Sequence, residues 1–179
     1  GSETTDRRFT SQPMASHKEA AAWAQRAAAL RHAPIATVYA WCNAAACAHL
    51  PPMQALHCTN DTQAQFVFHH PHRQRQSAQG ETQTLLAFVA SACTTDRAAL
   101  EAAVSAQAMQ QLGLPPLALV QTLIEKRATF VCRPDLQRPS MQIAAHLLAC
   151  GDYVKGPYPA TLEGAVRSGI ASADAACNR

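Results

Sequence analysis

The amino-acid sequence predicts an α+β fold, in which a mainly antiparallel sheet carries helices packed on one side. Helical patterns stand near both ends of the chain and in its middle, and apolar strand-like segments fill the intervals between them. Two of these segments are neighbours separated by a short polar turn, as in a hairpin. Because hairpin neighbours build antiparallel sheets whose apolar face needs cover, the pattern favours helices layered on a sheet.

The first predicted helix runs from Ser16 to about Arg31. Ser16 and Glu19 have the spacing of a capping box, and the apolar residues that follow recur at helical intervals. Residues 1–15 are polar and carry no period, which predicts a tag and mobile leader. The pair Gly1-Ser2 is typical of a cloning scar, so we expect the chain to be an excised piece of a longer protein.

Two apolar segments predict buried strands. Ile35–Cys42 is rich in β-branched and aromatic residues and is apolar on both faces, which is typical of a buried central strand. Thr84–Ala92 has the same character. Met53–Asn60 and Ala64–His70 flank a polar Asn60-Asp61 turn and predict a hairpin.

The segment after this hairpin, HHPHRQRQSAQGE, is polar and predicts a loop. Asp96 or Thr95 then opens the clearest helix, which Gly113 ends in the manner of a left-handed cap. Leu119–Val131 alternates in polarity and predicts a strand. The run IAAHLLACGD predicts a short buried strand, and a last helix is expected from Thr161 to Cys177.

Composition excludes several classes of protein. The 179 residues are 48% apolar and only 15% charged, with a net charge of +3 and no Lys/Arg run longer than two residues, which argues against a nucleic-acid partner. No apolar stretch is long enough to span a bilayer. The seven cysteines are odd in number, form no CxxC pair and mostly stand in apolar stretches, which predicts buried free thiols in a reducing cytoplasm.

The stretch ACGDYVKGPYPATLEGAVRSG, near the end of the chain, carries the main candidate site. Gly151 has no side chain, so that a ligand can approach its backbone, and the Asp152 carboxylate can accept hydrogen bonds from vicinal hydroxyl groups. Backbone N–H groups of Thr161, Leu162 and Glu163 form the positive end of a helix, which suits a phosphate or an electron-rich carbonyl. An ordinary loop that caps an ordinary helix, with Asp152 solvated, remains an equal alternative.

Part of this stretch, GDYVKGPYPATLEGAVRSG, resembles the C-terminal signature of the flavin-dependent amine oxidase and carotenoid-desaturase superfamily. Together with PIATVYAWC and EKRATFVCRPDLQRP upstream, it is similar to the bacterial squalene-associated FAD-dependent desaturases, also called hydroxysqualene dehydroxylases, of hopanoid biosynthesis. The likeness extends from Pro34 to Cys177. It implies an oxidoreductase that uses FAD and acts on an apolar isoprenoid such as a squalene derivative.

The resemblance also implies roles for individual residues. Asp152 would bond the ribityl chain or pyrophosphate of FAD, and the backbone of Thr161 and Leu162 would approach the pyrimidine edge of the flavin. The expected cofactor-contacting residues are Gly151, Asp152, Tyr158, Pro159, Ala160, Thr161 and Leu162. The strands before them would hold the isoprenoid. The aromatic side chains expected to wall its pocket, although core packing explains them equally well, are Trp41, Phe66, Phe68 and Phe88.

One departure from the superfamily is large. The family opens with a strand and a GxGxxG turn that binds the ADP half of FAD, and this chain contains no such motif. We therefore expect a fragment that lacks the N-terminal dinucleotide-binding half, with a substrate-binding-like domain over residues 16–148 and a flavin-contacting strand, loop and helix over residues 149–179. Alone it should bind no FAD, or bind it weakly, and show no turnover.

The partners follow from this view: the missing FAD-binding domain, the isoprenoid and a second copy of the chain that covers an exposed apolar face. The expected location is the cytoplasm, with peripheral attachment to the inner membrane. The alternative function is a non-catalytic α+β module that binds an apolar ligand or a partner protein. That module predicts a complete core with no large exposed apolar face, whereas the fragment predicts such a face.

Other candidates are weaker. His69, His70 and His72 could bind a metal, but adjacent histidines on a strand point to opposite faces, and an exposed loop is the better interpretation. His146 is expected to be a hydrogen-bonded core residue, and Cys150 a buried filler. Arg133 and Arg138 are expected to tie their loop to a carboxylate such as that of Asp135. No side chain can be assigned as a catalytic acid, base or nucleophile.

Overall fold

The computed structural model describes residues 14–59 and 63–178. These residues form three helices, a five-stranded antiparallel sheet and a two-stranded ribbon, which confirms the predicted α+β class. The chain divides into two compact units, which are described separately. One is His32–Thr129, and the other combines Gly1–Arg31 with Phe130–Arg179.

The elements, in chain order, are α1 (Met14–Ala28), β1 (His32–Asn43), β2 (Met53–Ala55), β3 (Phe66–Gln76), β4 (Thr82–Ser91), α2 (Arg97–Leu112), β5 (Ala118–Phe130), β6 (Gln142–Ala144), β7 (Leu147–Leu148) and α3 (Leu162–Cys177). The large sheet has the strand order β2-β3-β4-β1-β5. The predicted central position of the first strand is confirmed, since β1 lies between β4 and β5. The predicted Asn60-Asp61 turn lies outside the described residues.

The core of the sheet unit lies on one face of the sheet. Alternate residues of β1 and β4, including Val38 and Phe88, are directly paired and pack in one cluster with Leu100 and Val104 of α2. The helix therefore covers this face, which we call the inner face. Burial on both faces, predicted for Ile35–Cys42, is wrong: the burial of β1 alternates, and its other face is only half-buried.

A buried glutamine joins α2 to the segment that leads into β3. Gln107 is fully buried; its Oε1 accepts from the Ala64 N–H at 3.1 Å and its Nε2 donates to the Ala64 carbonyl at 2.9 Å. The same Nε2 donates to the His57 carbonyl at 3.2 Å. An amide side chain thus takes the place of a missing backbone partner inside the core.

β3 is longer than predicted, and the expected polar loop after it is mostly strand. Gln74, Arg75 and Gln76 pair with residues of β4; the irregular parts are a shift in pairing between His70 and Gln74 and the turn around Gly80. Backbone hydrogen bonds hold this ladder, so it requires no apolar side chains. Its exposed residues do not alternate between apolar and polar, so the sequence pattern could not indicate a strand.

The helix predicted most clearly is confirmed with both of its caps. The Asp96 carboxylate accepts from the Ala99 N–H at 3.1 Å at the start of α2. Gly113 adopts φ 63° at its end, and its N–H donates to Met109 O at 3.2 Å. A residue with this backbone conformation is best a glycine.

The second unit contains α1, the β6–β7 ribbon and α3. α1 begins at Met14, two residues before the predicted cap, and its Trp23 Nε1 donates to Ser140 O at 2.7 Å. The single buried strand predicted over residues 143–152 is wrong: the chain turns back on itself at Ala145 and His146, and His146 is exposed rather than a core residue. The last helix is confirmed.

Candidate functional site

The segment between Gly151 and Thr161, which we call the tail loop, leads into α3. It begins at Gly151, where φ is 149°. A Cβ atom here would lie 2.6 Å from Cε1 of Tyr153, so the tyrosine ring occupies the space that a side chain at this position would need. The Gly151 N–H donates to Ser168 Oγ of α3 at 3.2 Å. Close packing within the chain therefore accounts for a glycine at this position, and the predicted ligand approach to its backbone stays a prediction.

Arg138 holds the middle of the tail loop. Its guanidinium donates to the carbonyl oxygens of Val154, at 2.9 Å, and of Gly156. Lys155 N–H adds a bond to Pro139 O at 2.8 Å. The expectation that arginine ties this region to a carboxylate is wrong for Arg138, because its fork-like donors are taken by backbone carbonyls.

The turn before α3 has an unusual backbone. Tyr158 and Ala160 adopt φ values of 54° and 57°, in the left-handed region that non-glycine residues seldom enter. Thr161 caps the helix: its Oγ1 accepts from Gly164 N–H at 3.0 Å and donates to Tyr158 O at 2.7 Å. One hydroxyl group therefore holds both the loop turn at residues 158–160 and the N-terminal turn of α3.

The start of α3 is open, as the candidate site requires. Leu162 is 88% exposed, and Thr161, Pro159 and Tyr158 are exposed as well. Among the described residues, no acceptor contacts the backbone N–H of Leu162 or Glu163, because the first N–H groups of a helix lack an internal partner.

Asp152 lies at the other end of the same loop and is half-buried. Its backbone carbonyl accepts from Ala160 N–H at 3.4 Å, which brings the loop ends together. Its carboxylate has no hydrogen-bonding or ionic partner within the described part of the chain. A partly desolvated carboxylate without a partner is an acceptor available to an outside donor.

The outward side of α3 carries an apolar stripe made of Leu162, Val166 and Ile170. These residues stand four apart, so they lie on one side of the helix, and they are 88%, 59% and 58% exposed. Beside the stripe, a groove of about 360 Å³ runs between α3 and the tail loop, with Met141 and Val154 in its lining. Such a stripe normally faces a core.

The sequence missed two side chains that shape this end of the molecule. The Arg167 guanidinium lies 5.1 Å from the centre of the Tyr158 ring and pairs with Glu163 one helical turn earlier. The i, i+4 spacing of Glu163 and Arg167 is a signal from which the ion pair could have been predicted, whereas no pattern signals the ring contact. The second side chain is Ser168, whose hydroxyl accepts from the Gly151 N–H and which no sequence pattern indicated.

In the sheet unit, three of the four predicted wall residues share one surface. Trp41, Phe66 and Phe68 lie on the outer face of the sheet, opposite α2, and the two phenylalanine rings are 6.5 Å apart between centroids. The Arg75 guanidinium stacks 4.9 Å from the Trp41 ring. Phe88 lies on the inner face, where it is 0% exposed, so it belongs to the core and cannot line the same wall.

Most of the cysteines are exposed, contrary to the sequence prediction. Cys150 is among the four exposed thiols, so its assignment as a buried filler is wrong. Cys42, Cys47 and Cys93 are buried. A hydrogen bond from Cys47 lowers the pKa of Cys42, and the same contact together with burial raises the pKa of Cys47.

The histidines near β3 are divided as predicted between two faces of the strand. His69 is half-buried, whereas His70 and His72 are exposed. In residues 14–59 and 63–178, no group of three or more side chains is arranged to hold a metal ion.

No known protein family matches the chain, and no curated protein matches it either. The helices of the described segments are all too short or too polar to cross a membrane.

Proposed function

We propose that the chain is the substrate-binding and C-terminal flavin-contacting portion of an FAD-dependent oxidoreductase of the amine oxidase and desaturase superfamily. The observation that carries the proposal is the exposed stripe of Leu162, Val166 and Ile170 next to the open start of α3. Covering such a stripe with another surface would gain about 25 cal/mol per Å² of apolar area removed from water. Left exposed, the stripe gives up this stabilisation. We infer that the covering surface is the missing dinucleotide-binding half.

The residues at the open end fit the flavin part of FAD. The N–H groups of Leu162 and Glu163 are donors for an electron-rich carbonyl, and the helix dipole adds to their positive potential. The Asp152 carboxylate, which no residue in the described part of the chain contacts, is an acceptor for a hydroxyl of the ribityl chain. The Glu163 carboxylate, which would oppose an anion, is neutralised by Arg167.

When bound, FAD would supply hydride transfer to or from the substrate. This chain would contribute binding, orientation and exclusion of water. The outer face of the sheet, with Trp41, Phe66 and Phe68, offers an apolar surface to an isoprenoid such as a squalene derivative. No acid, base or nucleophile of this chain takes part in the proposal.

The alternative function, a free-standing non-catalytic module, predicts that the apolar residues of each element are covered within the chain. The exposed stripe of Leu162, Val166 and Ile170 argues against a module whose apolar residues are all covered within the chain. A module that binds a partner protein through this stripe stays the second candidate.

Co-expression tests the proposal. The chain would be produced with the separate dinucleotide-binding half of a hydroxysqualene dehydroxylase, and copurification and flavin absorbance would be measured. We expect a one-to-one complex that Val166→Asp with Ile170→Asp abolishes. Ala171→Asp, on the other side of the same helix, is the matched control and should leave the complex intact. A folded wild-type chain that forms no complex would contradict the proposal.

A further inference from the structure

The most developed feature outside the candidate flavin site is a bulge in β3. His70 pairs with Leu85 and Gln74 pairs with Thr84, the adjacent residue of β4. The three residues Pro71–Arg73 therefore have no partners across the ladder and project from the sheet. Bulges of this kind redirect side chains and are common beside binding sites.

Hydrogen bonds hold this bulge in a defined shape. The buried Thr84 Oγ1 donates to His70 O at 3.1 Å and lies 3.2 Å from Nε2 of His69. Gln74 Nε2 closes the bulge by donating to Pro71 O at 2.9 Å. The bulge is thus anchored from the inner face of the sheet. These bonds fix the backbone from which the side chains of the bulge extend.

The projected side chains are cationic or hydrogen-bond donors. His70, His72 and Arg73 are exposed, and within the described residues their side chains have no hydrogen-bonding or ionic partner. With Pro52, His69 and Pro71 they line a depression of about 390 Å³, and no acidic residue is among its described lining residues. Three side chains with donor groups therefore line one concavity, and no described residue satisfies them.

We propose that this bulge is a binding site for a phosphate group. The planar guanidinium of Arg73 matches two oxygens of a phosphate, and imidazole N–H groups from His70 and His72 supply further donors. A metal ion is disfavoured, because both ring nitrogens of His69, the third histidine of the lining, already contact Leu50 O and Thr84 Oγ1. The two histidines that are left are too few ligands, and the Arg73 charge repels a cation. The site does not depend on the proposed flavin function, since it uses none of the same residues.

The phosphate can belong to a soluble phosphate ester or to a phospholipid head group, and the test separates the two sources. Inorganic pyrophosphate would be titrated into the full chain at low ionic strength in a calorimeter. Phosphatidic acid vesicles would be tested by cosedimentation, against phosphatidylcholine vesicles. Saturable binding of pyrophosphate assigns a soluble ester, and binding to phosphatidic acid vesicles alone assigns a lipid.

The variants decide whether the bulge is responsible. Arg73→Gln, and His70→Asn combined with His72→Asn, should each weaken binding by roughly tenfold or more, as loss of charge-assisted hydrogen bonds implies. Arg127→Gln, which removes an exposed arginine from β5, is the matched control and should change affinity less than twofold. The proposal is overturned if neither probe binds, or if Arg127→Gln weakens binding as much as Arg73→Gln.

Discussion

The carbonyl oxygen of Tyr158 lies 2.2 Å from the point that a Cβ atom on Gly164 would occupy. The turn at residues 158–160, in which Tyr158 and Ala160 have left-handed backbone, therefore packs directly against the first turn of α3. Thr161 Oγ1 forms hydrogen bonds with both. Because this contact involves backbone rather than a movable side chain, it fixes the position of the Leu162 and Glu163 N–H groups. The proposed flavin contacts depend on this arrangement.

Gly164→Ala should destabilise the second unit, which contains α3, by about 1–3 kcal/mol, because a backbone atom cannot move aside for the added methyl group. Gly169→Ala, in the same helix, meets no atom within 4 Å and should instead stabilise by about 0.5–1 kcal/mol through helix propensity. Urea unfolding followed by circular dichroism measures both. Equal effects of the two substitutions would mean that the turn does not rest on the helix as described.

Gln107→Leu should destabilise the sheet unit by about 2–4 kcal/mol, since both backbone groups of Ala64 would lose their buried partner. Gln110→Leu changes an exposed position on the same helix and should shift stability by less than about 0.5 kcal/mol. Chemical unfolding curves of the two variants provide the comparison. If Gln107→Leu is as stable as the wild type, the amide does not support the segment before β3.

Thr84→Val should cost about 1–3 kcal/mol, because His70 O and the half-buried His69 ring lose the hydroxyl group that they contact. Thr82→Val, at an exposed position of the same strand, is the control and should be within about 0.5 kcal/mol of the wild type. Thermal unfolding would detect the difference. A neutral Thr84→Val variant would show that the β3 bulge is not anchored through this residue.

The cysteines should react in two classes. Cys58, Cys132, Cys150 and Cys177 are exposed and should react quickly with a disulfide reagent such as Ellman's reagent. Cys42, Cys47 and Cys93 are buried, and the raised pKa of Cys47 further lowers its thiolate fraction, so these three should react only after unfolding. Spectrophotometric titration with and without guanidinium counts both classes. Rapid reaction of all seven thiols would contradict the described core.

Local chemistry explains why some elements could be predicted from the sequence. Asp96 and Gly113 fix the ends of α2 through their own side chain and backbone freedom, and both act as expected. The strand after Pro71 could not be predicted in this way, because its ladder is made by backbone atoms and both of its faces are polar. The pattern of side chains carries no information where neither face is buried.

The candidate site shows the same limit. The cap at Thr161 follows from residue type and position, and it is present. The close packing at Gly151 depends on where the Tyr153 ring lies, two residues away. The sequence pattern does not show that position, and it predicted a ligand at this glycine. Likewise, Phe88 could be distinguished from Trp41, Phe66 and Phe68 only through strand register, which places it on the inner face.

The visible absorbance of bound flavin tests the central claim most directly. The purified chain alone should be colourless, and the complex with a separately supplied dinucleotide-binding half should retain one FAD per chain after gel filtration. Asp152→Ala in that complex should release FAD more readily than the wild type, while Asp174→Ala, a surface change on α3, should not. Stoichiometric flavin on the chain alone, or a colourless complex, would contradict the account.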